Sequence, residues 1–165
     1  MDWIVFGVQW LHVLLGILWF GNSLVLAAII IPAISRLPLL AQREIGSHIG
    51  EQGQRVFEVV APAVIVLGII RGTFLGPIEN LDTLLGTAYG LTWLVALVVA
   101  ILTHLWGRFV IKAGVRAMNL APVNPDGTPT SELQAATQRV KLLVSLELIG
   151  FLVIFTCMIL MRFGL

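Results

Sequence analysis

Long apolar runs recur four times along the chain, two of them without charge. The first, Ile4 to Ile31, holds no Asp, Glu, Lys or Arg, and about 20 such residues suffice to cross a hydrocarbon core. The third is uncharged from Thr83 to Gly107, and the fourth is apolar from Leu142 to Met161 except for Glu147. The second is interrupted by Glu58 and Arg71, yet still reads as a span from Val56 to about Pro77. The pattern predicts membrane helices over 3–34, 54–76, 84–112 and 139–162. Their short connections imply antiparallel neighbours, so the expected fold is all-α: an integral membrane, antiparallel four-helix bundle forming a single domain over 1–165.

The connections differ in character. Residues 37–54 mix Leu, Ile and Ala with Arg43, Glu44, His48 and Glu51, and read as an extension of the second helix beyond the bilayer. Ala121 to Thr130 carries Pro122, Pro125, Asp126-Gly127 and Pro129, a turn-rich loop. Ser131 followed by Gln134 reads as a capping box that opens the fourth helix well outside the bilayer. Trp93 and Trp106 stand towards the two ends of the third run, where aromatic belts sit.

Composition agrees with the pattern and narrows the classes. Of 165 residues 58% are hydrophobic and only 12% charged, against about 25% charged in soluble domains. There is no Gly-rich phosphate loop, no His-Glu-x-x-His and no nucleophile elbow. The one cysteine, Cys157, allows no internal disulfide. Asp2 stands where a signal peptide would be basic, and the first run is too long for one, so the first helix is expected to stay.

The net charge of +1 conceals a strong asymmetry. Eight of the ten Lys and Arg flank the first and third connections: Arg36, Arg43, Arg55, Arg108, Lys112, Arg116, Arg139 and Lys141. Only Arg71 and Arg162 belong to the other side. The positive-inside rule then puts those connections in the cytoplasm and both termini outside the inner membrane. With the basic residues so used, nucleic-acid binding has no support.

Helical spacing gathers the unusual residues into stripes. The first helix aligns Gln9, His12, Gly16, Trp19 and Ser23; the second Glu58, Ala61, Ile65, Gly68 and Arg71; the fourth Glu147, Phe151, Ile154, Met158 and Met161, with Cys157 beside them. Ionisable groups inside a membrane face the bundle interior and mark function, although such stripes also serve as plain helix–helix seams. At 1.5 Å per residue His12 lies about 12 Å below the outer surface, and His104 about 15 Å deeper near the inner end of the third helix.

Leu11-His12, Trp19 and Gly21, in a first helix that ends near Pro32, resemble the opening helix of the CopD-like copper-resistance membrane family. They are also similar to the HemJ-type protoporphyrinogen oxidases, whose first helix carries a histidine with a tryptophan seven residues later. The resemblance implies a small four-helix bundle handling haem or copper through His12, with Trp19 and Gly21 as its packing neighbours.

Three functions are compatible with these residues. A haem b redox protein would take His12 as one axial ligand and Met158 or Met161 as the other, with Arg71 and Arg162 for the propionates and Trp19, Phe20, Gly16 and Gly68 lining the slot. A copper-handling protein would use the soft set His12, Cys157 and Met158, with Met161 on the same face. A cofactor-free accessory subunit of a larger membrane complex would use the polar residues as helix glue. Glu58, Glu147 and His104 could also form a proton path from the inner side. A redox or membrane-complex partner and a homo-oligomer are both compatible with this class.

Overall fold

The computed structural model describes residues 2–165, and among these it is helical without a strand. Five helices follow in order: α1 (Trp3–Ile34), α2 (Leu39–Gly72), α3 (Leu81–Gly86), α4 (Ala88–Leu120) and α5 (Ser131–Arg162). All but α3 are long and apolar enough to cross a membrane. They form an antiparallel four-helix bundle in which α1 packs chiefly along α2 and α4 chiefly along α5. The two hairpins meet through α2 against α4 and, more lightly, α1 against α5.

Each helix end has a local cause. Asp2 caps α1, its Oδ1 accepting from the N–H groups of Ile4 (2.9 Å) and Val5 (3.3 Å). Farther along α1 the turn Leu26–Ile30 widens to π-helix just before Pro32. Proline lacks the N–H that would bond four residues back, and a widened turn accommodates the gap. Pro62 sits inside α2 in the same way and leaves the Glu58 carbonyl without its helical donor.

The third apolar run is two helices, not one. Thr87 is extended and caps α4 by accepting from the Gly90 N–H at 2.9 Å, while Asn80 caps α3. Gly90 allows this fold-back, because a Cβ there would collide with the Thr83 and Leu84 carbonyl oxygens. Helix α2 begins at Leu39, so residues 39–53 continue it without a break, and α4 runs on to Leu120. The cap of α5 is one residue earlier than the sequence suggests. Thr130 Oγ1, not Ser131, accepts from Leu133 N (3.2 Å), and the Gln134 side chain turns to the Pro129 carbonyl. Replacing Thr130 with Ala is therefore expected to cost about 1 kcal/mol, and Ser131→Ala close to nothing, as read by thermal unfolding in detergent.

The loop between α4 and α5 is ordered by its own polar side chains. Gly127 takes φ 81°, and Asp126 Oδ1 accepts from the Thr128 hydroxyl (2.6 Å) and N–H (2.9 Å). Those bonds, the hydroxyl's first, hold the Asp126 carboxyl below the usual carboxylate range. A folded value below the unfolded one stabilises above the unfolded pKa and is lost as pH falls through the folded value. The turn is expected to keep its order down to about pH 4 and to loosen below it, which amide exchange at Thr128 reports. An Arg43 Nη2 bond to the Ala121 carbonyl ties this loop to the extension of α2.

Trp19, Val60, Ala61, Val64 and Phe151 form the core, with Phe20 stacked on Phe151 at 5.4 Å. The outward faces are apolar as well: Ile17, Val59, Leu102 and Phe155 are all exposed. In water such a surface would be a liability, whereas lipid requires it, since the helices satisfy their own backbone bonds.

Candidate functional site

The inward stripe of α1 brings His12 against α2. Its Nδ1 lies 3.0 Å from the Val64 carbonyl oxygen. A carbonyl only accepts, so Nδ1 carries the proton and donates it, which leaves Nε2 with a free lone pair. The ring seats here because residue 68 is glycine: a Cβ on Gly68 would stand 3.1 Å from His12 Cε1. The Gly68 carbonyl in turn accepts from Trp93 Nε1 at 3.3 Å, and Gly72 leaves room for that indole. Trp93 thus ties the two hairpins together at the level of His12. It and Trp106, whose Nε1 donates to the Leu143 carbonyl at 3.1 Å, are interhelical pins, not belt anchors.

Arg71 stands one turn beyond Gly68 on the same face of α2. Its Nη1 donates to the Leu75 carbonyl at 2.8 Å, while its Nε is buried with no partner among the described residues. An unpaired buried donor is costly, and a guanidinium N–H so placed is ready for an anion.

Trp19 lies two turns deeper than His12. Its ring meets Phe151 edge-on at 4.9 Å and His104 at 6.4 Å. Since Trp19 and Phe151 mark one level, His12 on α1 and Met158 on α5, each seven residues outward, share another about 10 Å higher. Met158 and Met161 are half-buried and Cys157 is buried on that face of α5. Contact with Trp19 puts His104 about 10 Å below His12, nearer than the sequence implies. Gly16 and Gly21 have no atom within 4 Å of where a Cβ would stand, so neither is a close-packing point; the close approaches between helices fall at Gly68, Gly72, Gly107, Gly114 and Gly150. Arg162, at the C-terminal end of α5, is exposed.

Glu58, Glu147 and His104 are not joined into a hydrogen-bonded chain. Glu58 is exposed on α2 and accepts from Gln54 Nε2 on its own helix at 2.8 Å. Glu147 faces Gly107 across the α4–α5 seam, and His104 faces Trp19. Among the described residues, no three of the His, Cys, Asp and Glu side chains gather closely enough to hold a metal ion. Two clefts open elsewhere: one of about 430 Å³ beside Asn22, His48 and Gln52, the other of about 290 Å³ beside Glu147.

What the sequence hides is the partner of each polar group. The Val64 carbonyl, the Trp93 indole and the Gly72 gap carry no sequence signal as site residues, although the Gly68-x-x-x-Gly72 spacing marks a close helix contact. Compared with known proteins, the chain matches no family model, no curated protein and no solved structure.

Proposed function

We propose that this chain is a haem b-binding membrane redox protein in which His12 Nε2 would hold the haem iron. The observation that carries the reading is the 3.0 Å bond from His12 Nδ1 to the Val64 carbonyl. Metal-binding histidines characteristically give their other N–H to a carbonyl or carboxylate, which fixes the tautomer and makes the ligating nitrogen more basic. Two further features suit the group. The unpartnered Nε of Arg71 offers a donor to a carboxylate on the outer side, and Met158 offers a thioether at the level of His12 on the facing helix. When bound, haem b supplies one-electron oxidation and reduction. Trp19, Phe20 and Phe151 pack together two turns farther into the bundle than His12 and would shield a group bound there from that direction.

The likeness of Leu11-His12, Trp19 and Gly21 to the CopD-like and HemJ-like families agrees with a haem- or copper-handling role. The distribution of Lys and Arg supports an inner-membrane location with both termini outside. Exchanging Met158 and Met161 one at a time for Leu tests the second ligand. The ligating residue's exchange shifts the reduced visible spectrum, and the other leaves it unchanged. A colourless protein that holds copper, and loses it in the Cys157→Ser, Met158→Leu double variant, would move the assignment to copper.

A further inference from the structure

The second cleft is independent of His12 and holds a carboxylate that the redox reading does not use. Glu147 reaches it from α5, at a point five residues inside the apolar stretch that begins at Leu142. The cleft's other walls are Val99, Leu102, Thr103, Trp106, Leu146 and Gly150, none of them charged. Leu102 and Leu146 are exposed on the outer surface of the bundle, so the cleft opens toward lipid. Among the described residues the Glu147 carboxylate has no hydrogen-bond donor, and Arg108, the nearest basic residue along α4, turns its guanidinium over the Phe109 ring at 5.9 Å. The backbone is shaped around the acid. Helix α4 widens to π-helix from Trp106 to Ile111, and there Gly107 faces Glu147, with a Cβ at that position standing only 2.7 Å from Oε1. Widened turns of this kind recur at functional sites. Trp106 is held by its bond to the Leu143 carbonyl and contributes its ring to the cleft wall.

A lone carboxylate, a fixed indole and apolar walls are the combination that recognises a lipophilic ammonium ion: the acid matches the charge, the indole face attracts the cation, and the walls take the alkyl chain. We propose that the Glu147 cleft is a binding site for a single-chain lipophilic ammonium entering from the bilayer. Its cationic head lies between the Glu147 carboxylate and the Trp106 ring. Pairing there removes the cost of an isolated acid inside the membrane.

The test uses dodecyltrimethylammonium as probe and dodecanol as its uncharged counterpart, with the full chain in phosphatidylcholine nanodiscs. Saturable binding of the ammonium is expected to weaken about tenfold or more in Glu147→Gln, with dodecanol partitioning unchanged. Equal binding of the ammonium by wild type and Glu147→Gln overturns the proposal. A measurement on the wild type alone guards against a variant that does not fold: labelling by a hydrophobic carbodiimide, mapped by mass to Glu147. The ammonium protects Glu147 and dodecanol does not, if the site exists. Equal protection by both probes, or by neither, overturns it.

Discussion

On the proposed haem assignment, His12→Ala is expected to purify as a folded protein with most of its haem gone. The lost bond to Val64 contributes only about 1 kcal/mol, and the substitution removes bulk at a half-buried position instead of opening the core around Trp19. Helix content by circular dichroism is therefore expected to stay near wild type while the ratio of Soret to protein absorbance collapses. Added imidazole restores part of the colour, because it replaces the nitrogen without the tether. An unchanged Soret band in His12→Ala places the ligand elsewhere. Loss of fold together with colour would instead make His12 a packing residue, and imidazole would then rescue nothing.

Gly72→Ala is the substitution expected to cost the most stability. A methyl group there occupies the space of the Trp93 indole nitrogen, and overpacking of this kind costs about 1–3 kcal/mol, sometimes more. The same shift strains the Trp93 bond to the Gly68 carbonyl, the tie between the two hairpins at the level of His12. Pairing Gly72→Ala with Trp93→Ala in a double-mutant cycle should show strong coupling, since the clash exists only when both groups are present. Gly16→Ala is the control: open space at that position predicts a change within about 0.5 kcal/mol. Thermal unfolding in one detergent compares the wild type with all four variants.

The fold is legible in the sequence because lipid imposes a simple rule. A helix that satisfies its own backbone bonds and is apolar outside shows up as an uncharged run of about 20 residues. Two such runs, and two more broken only by Glu58 and Arg71 or by Glu147, predict the four long helices. The break at Thr87 is not legible that way, since α3 and the start of α4 are equally apolar and only the Thr87 cap and the Gly90 contact separate them. The α5 cap shows a similar ambiguity, with Thr130 and Ser131 adjacent and alike in chemistry.

The site is legible in part for a related reason. Spacing along α1 puts His12 and Trp19 on one inward stripe, and Trp19 and Ser23 of that stripe are buried. Spacing on one helix does not reveal its partner on another. Glu58 shares a stripe with Gly68 by periodicity, yet it is exposed and takes its hydrogen bond from Gln54 on its own helix. Trp93 and Trp106 look like interfacial residues by their positions near the ends of a run. Their indole N–H groups instead find helix carbonyls across the bundle, the stronger demand where no water is at hand.

The visible spectrum of the purified wild-type protein, oxidised and then reduced with dithionite, tests the central claim most directly, with metal analysis on the same sample. A Soret band with sharp reduced α and β bands and one iron per chain or per dimer is the expected result. A colourless, iron-free protein, after expression with ample haem and extraction in a mild detergent, contradicts it.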